Sequence, residues 1–319
     1  MYKEFYGLRE LPFELTSNRR FLLMTVGHRE ALSVLHHGVH ARKSITLLVG
    51  EAGTGKTTLI RALLKGMEGT GAGFLSINNP RLTRDEFVET IASGFGLSSG
   101  ATRSKATMLV EVEQALKARA AAGRMTALVV DEAQSLSDDL LEEIRLLANI
   151  ESDSTKLLPV VLAGQPELAD RLNRPGLRQL KQRVSIRCDL QPLTLNETAS
   201  YVIWRVQTAG GDARTIFTRG AVEAIHEISA GIPRMINTLC DNALLTGFAA
   251  DCRPVTREIV AEVCVDLDLP AVAVRGAADT VVDSKPLAPP STAVEPGPMR
   301  NASPAPASNP PPRFRILGL

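Results

Sequence analysis

The segment GEAGTGKT at residues 50–57 contains the residue types that bind the phosphates of a nucleotide. It fits the pattern G-x-x-x-x-G-K-[ST], in which glycines let backbone N–H groups surround phosphate oxygens. Lys56 is expected to reach the β- and γ-phosphates, and the hydroxyl of Thr57 to hold Mg²⁺. An apolar strand pattern before the loop and a helical pattern after it argue against a chance match. The sequence therefore predicts a site for ATP and Mg²⁺, and its loop residues are Gly50, Glu51, Ala52, Gly53, Thr54, Gly55, Lys56, Thr57 and Thr58.

An acidic pair follows a second apolar run, in the segment ALVVDEAQ. Asp131 ends the predicted strand, where its carboxylate can hold Mg²⁺. Glu132 comes next and can orient and deprotonate an attacking water, as a general base does. The alternative is that the pair only caps the following loop. The phosphate-binding pattern upstream favours the chemical role.

Two amide side chains follow other predicted strands. Gln165 ends the run VVLAGQ and could contact the γ-phosphate or the attacking water, or serve only as a turn residue before Pro166. Asn78 ends the run GFLSIN and could restrain Glu132 by a hydrogen bond, or simply occupy a turn. Because parallel strands end at one edge of a sheet, both amides are expected near the acidic pair.

The segment GIPRMIN places Arg234 in the first turn of a predicted helix, where the helix dipole disfavours a cation. Pro233 presets that turn. A phosphate would more than compensate for the dipole, since a charge-assisted hydrogen bond contributes about 1.5–3 kcal/mol. The spacing therefore predicts that Arg234 contacts the bound nucleotide.

A run of cations lies between residues 171 and 187, with acids only near its ends. It could be a solvated helix face, a nucleic-acid patch, or the source of an arginine finger that crosses a subunit interface to a neighbour's γ-phosphate. Arg183, just before the last strand, is the candidate finger, and Arg178 is the second choice.

Short apolar runs alternate with helical patterns from Ser44 to about Leu193. This alternation predicts an α/β fold in which a parallel sheet is covered by helices on both faces. Helix starts are marked by capping boxes at Thr83/Glu86 and Thr194/Glu197, and by single caps. The predicted single caps are Ser137, Thr218 and Thr256.

After Pro192 the strand patterns stop, which predicts three regions. Residues 1–193 form the nucleotide-binding core with its N-terminal segment, and residues 194–269 an all-helical lid. Residues 270–319 hold 11 of the chain's 19 prolines, a composition that cannot bury a core and is expected to be disordered. The tail ends in RFRILGL, either a frayed terminus or a docking peptide.

The composition is that of an ordinary globular protein: 319 residues, 44% apolar, 22% charged, with a net charge of +1. Near-neutrality excludes a broad basic field for nucleic acid, although a local patch remains possible. The four cysteines form no CxxC pair and are expected to be reduced thiols rather than zinc ligands. No run reaches the roughly 18 apolar residues of a membrane span. We therefore expect a cytoplasmic protein that attaches to a membrane only through a partner.

These pieces resemble an AAA+ ATPase with a Gly-x-Pro-Arg second sensor. Up to about residue 269, the chain more specifically resembles the ExeA/GspA family of general-secretion ATPases. The segments that carry this resemblance are MYKEFYGLRELPFELT, GEAGTGKTTLIRALL, VVDEAQSL, VLAGQPEL and GIPRMINTLCDNALL. The resemblance implies ATP hydrolysis and self-association, with ATP between subunits. It also implies that the segment around Pro12 and Phe13 lies near the adenine. Relatives commonly continue through a membrane helix into a peptidoglycan-binding part, which this sequence lacks, so direct remodelling of the cell wall is not expected.

Two classes of function remain open, and a third is less favoured. The first is an ATPase that powers or regulates assembly of an envelope export system, through an inner-membrane partner. The second is a DNA-associated regulator of the TniB transposition type. The near-neutral net charge and the sequences of the motifs favour the first class. The third is a switch that binds ATP with negligible turnover.

Overall fold

The computed structural model describes residues 2–14, 19–21, 23–78, 81–152 and 155–270. The expectations for residues 270–319 fall almost wholly outside this range. The strands are β1 (Ile45–Gly50), β2 (Gly73–Ile77), β3 (Thr126–Val130), β4 (Val160–Gly164) and β5 (Val184–Leu190). The helices are α1 (Tyr2–Tyr6), α2 (Val26–His40), α3 (Lys56–Gly66), α4 (Arg84–Phe95), α5 (Lys105–Ala121), α6 (Asp138–Ala148), α7 (Pro166–Leu172), α8 (Arg178–Lys181), α9 (Leu195–Thr208), α10 (Ala213–Ile216), α11 (Arg219–Ser229), α12 (Pro233–Ala249) and α13 (Arg257–Asp266).

The described residues divide into two compact units. One contains all five strands and comprises residues 27–50 and 56–190; we call it the sheet unit. The other comprises the described residues up to 26, residues 51–55 and residues 191–270; we call it the helical unit. The N-terminal segment thus groups with the helices, whereas the sequence pattern predicted that it belongs to the nucleotide-binding core.

The sheet is all-parallel, with strand order β2-β3-β4-β1-β5, and this confirms the predicted fold class. Every residue of β1, β3 and β4 is buried, because these inner strands are covered on both faces and therefore read as continuous apolar runs. The flanking strands β2 and β5 are only partly buried. Because all strands run the same way, the residues that follow β1, β3 and β4 come to one edge of the sheet.

The helix starts follow the local sequence closely. Both capping boxes are present, with Thr83 and Thr194 each bonded reciprocally to the glutamate three residues later. Ser137 and Thr218 accept backbone N–H bonds as single caps. Thr256 occupies the cap position of α13, but its side chain makes no capping bond.

The helical unit has its own apolar core, which joins the N-terminal segment to α9–α13. Arg205 on α9 is buried at the centre of this packing. Its guanidinium donates to the carbonyl oxygens of Pro12 and Glu14 and to the Tyr201 hydroxyl. It also lies 5.1 Å from the centroid of the Phe21 ring, within cation–π range. These contacts explain why a segment about 190 residues earlier in the chain packs on α9.

Among the described residues, no helix is long and apolar enough to cross a membrane. The four cysteines are free thiols, of which Cys240 and Cys264 are buried and Cys188 and Cys252 are partly exposed.

Candidate functional site

The phosphate-binding pattern lies where β1 ends and α3 begins. Gly53 and Gly55 have φ values of 83° and 105°, a region of backbone conformation that favours glycine. The loop therefore needs glycine at both positions. Lys56, the first residue of α3, is buried, and its Nζ donates to the carbonyl oxygen of Gly50 over 2.8 Å. Thr54 is also buried, and its hydroxyl donates to the carbonyl oxygen of Glu51. Thr58 is the third residue of α3.

The two predicted magnesium ligands are in direct contact. Thr57 Oγ1 donates to Asp131 Oδ2 over 2.6 Å, and Asp131 is buried at the end of β3. The other carboxylate oxygen, Oδ1, accepts from the backbone N–H of Glu132 over 2.9 Å. A hydroxyl and a carboxylate are hard oxygen donors of the kind that Mg²⁺ prefers, so this pair fits that ion.

Glu132 is half-buried and has a left-handed backbone conformation, with φ of 53°. Its Oε2 accepts from Gln134 Nε2 over 2.6 Å and from Gln165 Nε2 over 3.4 Å. The structure therefore brings Gln165 to the predicted base, at the tip of β4. Gln134 was not predicted from the sequence, although its place two residues after the predicted base was a signal.

Asn78 does not make the predicted contact with Glu132. Its Oδ1 accepts from the Ser76 hydroxyl over 2.9 Å, and no hydrogen bond joins it to Glu132 within the described part of the chain. The reason is local. Ile77 pairs with Val130 and its carbonyl accepts from the N–H of Asp131, so Asn78 comes level with Asp131. Glu132 has already left the extended conformation.

Arg234 lies beside the phosphate-binding loop within the helical unit, to which residues 51–55 belong. Its backbone N–H faces the carbonyl oxygen of Gly53 at 3.4 Å. A Cβ at Gly53 would lie only 2.7 Å from Cβ of Arg234 and 3.1 Å from Cγ2 of Ile232. Pro233 is at the start of α12, as predicted. Glycine at position 53 is therefore required by space as well as by φ.

Pro12 and Phe13 are buried in the core of the helical unit. The Phe13 ring packs edge-on against Phe217, with centroids 6.0 Å apart, and lies 5.8 Å from the guanidinium of Arg205. The Phe13 ring is thus in contact with other residues of the helical unit. That Pro12 and Phe13 lie near the adenine stays a prediction.

The cationic run of residues 171–187 is divided between two environments. Arg171 and Arg187 are ion-paired, with Asp138 and Asp189 respectively. The remaining cations are exposed and have no ion pair with a described residue: Arg174, Arg178, Lys181 and Arg183.

Arg183 lines a surface cavity of about 370 Å³ in the sheet unit. Three further cations line it: Arg42, Lys43 and Lys156. The cavity lies where β1, β4 and β5 begin, at the sheet edge opposite the phosphate-binding loop. Glu151 pairs with Lys156, and that bond, with a smaller contribution from Arg183, lowers the pKa of the Glu151 carboxyl.

Comparison with known proteins agrees with the motifs. Residues 39–172 match the family model described as AAA domain. The chain is 42% identical over 249 residues to general secretion pathway protein A of Aeromonas hydrophila, which covers 78% of this chain and 45% of that protein. The chain thus spans about half the length of this relative. The predicted resemblance to the ExeA/GspA family, with an AAA domain, is confirmed.

Solved structures are similar in fold. The Aeropyrum pernix ORC2 protein, in ADPNP–ADP complexes, superposes with a TM-score of 0.56 at 17% identity, covering 78% of this chain and 71% of that one. Cdc6p from Pyrobaculum aerophilum gives a TM-score of 0.55 at 17% identity, covering 79% and 71%. Drosophila ORC bound to DNA gives 0.56 at 20% identity, covering 84% and 65%. At these identities the likeness supports the AAA-type fold alone.

Proposed function

We propose that this GspA-like AAA protein binds ATP with Mg²⁺ and hydrolyses it to ADP and phosphate. The observation that carries the proposal is the 2.6 Å contact between Thr57 and Asp131, next to the buried Lys56. It brings the phosphate-binding loop and the acidic strand end to one point. The ADPNP–ADP complexes of the structurally similar ORC2 protein are consistent with a nucleotide at such a loop.

In this proposal the backbone N–H groups of residues 50–57 and the ammonium of Lys56 hold the β- and γ-phosphates. Thr57 and Asp131 hold Mg²⁺, which supplies charge neutralisation at the phosphates when it is bound. Thr58, in the first turn of α3, belongs to the same phosphate-facing helix start. The positive end of the α3 dipole adds to the attraction for phosphate.

Glu132 is the general base. Its carboxylate accepts a proton from the attacking water while the water oxygen bonds to the γ-phosphorus and the bond to the ADP oxygen breaks. ATP and water thus give ADP, phosphate and a proton. Gln165 orients the same water or the γ-phosphate from the tip of β4.

Two arginines complete the proposed site. Arg234 acts on the nucleotide of its own subunit, in keeping with its contact with Gly53. Arg183 is exposed and lies at the opposite sheet edge from its own loop, so it acts on a neighbouring subunit's γ-phosphate. Arg178 is the second candidate for this finger. Because the finger must come from a neighbouring subunit, the protein self-associates. Pro12 and Phe13 lie near the adenine of the bound ATP.

In the cell, the protein powers or regulates the assembly of an envelope secretion or export system through its hydrolysis of ATP. The support is the 42% identity to general secretion pathway protein A. We place the protein on the cytoplasmic side of the inner membrane, attached through a partner of the export system. We also propose that the nucleotide-binding core ends at residue 193, that the helical lid ends at residue 269, and that the tail follows.

The test compares two variants with the wild type. Lys56→Ala is expected to lose ATP binding, whereas Glu132→Gln keeps binding and loses turnover, because one holds phosphate and the other activates water. Binding is measured with a fluorescent ATP analogue and turnover by phosphate release, with thermal unfolding to verify folding. Normal hydrolysis by Glu132→Gln would refute the assigned base. DNA is titrated at several salt concentrations, and an affinity for DNA that falls steeply with salt would instead support the DNA-associated alternative.

A further inference from the structure

The side chain of Gln134 has only one orientation that satisfies its neighbours. Its Nε2 donates to Glu132 Oε2 over 2.6 Å, while its Oε1 accepts from the backbone N–H of Gln165 over 3.1 Å. Exchanging the two amide ends would set oxygen against carboxylate and N–H against N–H. The contact with Glu132 is therefore imposed from both sides of the amide.

The end of β4 leaves space for this amide. A Cβ at Gly164 would lie 2.9 Å from Gln134 Oε1 and 2.7 Å from Cδ2 of Leu168. Glycine at the last position of the strand thus lets Gln134 reach its place beside Glu132.

Helix α7 holds Gln134 from both of its ends. Gln165, at its N-cap, supplies the N–H that fixes Oε1. Arg171, in its last turn, donates to the carbonyl oxygens of Gln134 and Leu136 over 2.7 and 2.8 Å, and pairs with Asp138. The backbone and the side chain of Gln134 are therefore both tied to α7, and a shift of α7 would disturb both.

We propose that Gln134 is a positioning residue that restrains Glu132, and that α7 sets this restraint through Gln165 and Arg171. The inference rests on the proposed function, in which Glu132 is the base. An oxygen that accepts a short bond from an amide has a lone pair occupied that would otherwise accept the proton of the water. Release of Gln134 removes the shorter of the two amide bonds to that oxygen and leaves only the 3.4 Å contact from Gln165 Nε2. Because α7 leads directly to the exposed cations Arg174 and Arg178, a neighbouring subunit could act on the restraint through this helix.

The test measures steady-state hydrolysis by Gln134→Glu, which keeps an acceptor for Gln165 N–H and, in its ionised form, cannot donate to Glu132. Gln134→Leu is a second variant of similar size that has no donor in any protonation state and adds no charge. We expect kcat to rise about tenfold, the equivalent of one lost hydrogen bond to a charged group, with KM changed less than about twofold. Arg171→Gln should shift kcat in the same direction. The matched control is Gln114→Glu, the same charge change on the exposed face of α5.

The outcomes separate this inference from its premise. A merely structural role would lower kcat and thermal stability together, and that result in both Gln134 variants overturns the inference. Unchanged kcat in both variants, with turnover that still depends on Glu132, overturns it alone. Equal turnover by wild type and Glu132→Gln overturns the proposed function and the inference with it.

Discussion

The hydroxyl of Thr57 and the carboxylate of Asp131 are joined by a 2.6 Å hydrogen bond, although 74 positions separate them in the chain. One residue belongs to the first turn of α3 and the other follows β3. Parallel β1 and β3 end at the same sheet edge, and this is what brings the two oxygens together. The pair forms a hard-oxygen site next to the loop that is predicted to hold phosphates.

The first prediction concerns this pair. Asp131→Asn should cut Mg²⁺-dependent ATP turnover by about 10²-fold or more, because a bound metal contributes several kcal/mol to charge stabilisation and each 1.4 kcal/mol is tenfold. Turnover is measured as a function of Mg²⁺ concentration. The control is Asp139→Asn, which removes an exposed carboxylate from the first turn of α6. If both variants respond to Mg²⁺ like the wild type, Asp131 does not hold the ion.

A second prediction uses two glycines with the same backbone angle. Gly53 and Gly69 have φ values of 83° and 80°, but a Cβ would meet Arg234 only at Gly53 and nothing within 4 Å at Gly69. Gly69→Ala should therefore cost only the strain of left-handed backbone, about 1–2 kcal/mol. Gly53→Ala adds displacement of Arg234.

The measurement is unfolding by denaturant together with titration of an ATP analogue. We expect Gly69→Ala to lose stability with normal affinity, and Gly53→Ala to lose affinity by at least about tenfold, or 1.4 kcal/mol. Equal affinity of the two variants would show that Arg234 and the shape of the loop do not contribute to nucleotide binding.

Local signals made most of the fold predictable. The capping boxes at Thr83 and Thr194 depend on residues three positions apart, and the inner strands are apolar runs because both faces are buried. The phosphate-binding pattern is likewise recognised from its own eight residues. For these features, the information is contained in a short stretch of chain.

The rest depended on backbone conformation and distant packing. Glu132 has a left-handed backbone conformation although it is not a glycine, so the direction of its side chain could not be predicted from the sequence. Asn78 was therefore predicted to bond to Glu132, whereas in the structure Gln134 makes that bond. The grouping of the N-terminal segment with the helices depends on Arg205, which bonds to Pro12 across 193 positions. No local periodicity reports such a contact.

A third prediction follows from buried Tyr6, whose hydroxyl donates to the carbonyl oxygen of Cys252 over 3.2 Å. Burial, with a smaller effect of Cys252, raises the pKa of Tyr6 to about 12, while Arg253 acts in the opposite direction. The folded state therefore holds the proton more strongly than the unfolded chain, whose tyrosine titrates near pH 10. This contribution to stability is complete below pH 10 and is lost as pH rises from 10 to 12.

The measurement is the free energy of unfolding of wild type and Tyr6→Phe at pH 8 and pH 11. At pH 8 the variant should be less stable by about 1 kcal/mol, the value of one hydrogen bond. At pH 11 that deficit should shrink by about 1 kcal/mol, because the variant has no proton to lose. Taking the difference between the two proteins cancels the other groups that titrate in this range. A deficit that stays constant with pH would contradict the raised pKa.

The last prediction separates Arg234 from Arg183. Arg234→Ala and Arg183→Ala should each reduce turnover strongly, since arginine fingers contribute about 10³–10⁵ in rate where they have been measured. If Arg183 acts in trans, Arg183→Ala subunits keep intact pockets and Glu132→Gln subunits keep intact fingers. A mixture of these two inactive proteins should then regain activity, because some interfaces pair a good pocket with a good finger.

Arg234→Ala mixed with Glu132→Gln should stay inactive. Every Arg234→Ala pocket lacks its own arginine, and every Glu132→Gln pocket lacks its base, so no interface contains an intact pocket. Phosphate release is measured across mixing ratios, and co-assembly is verified by size-exclusion chromatography of differently labelled subunits. If the Arg183→Ala mixture stays inactive while the subunits co-assemble, the finger is another residue. Arg178→Ala, at another exposed arginine of the same cationic run, is then mixed with Glu132→Gln in the same way.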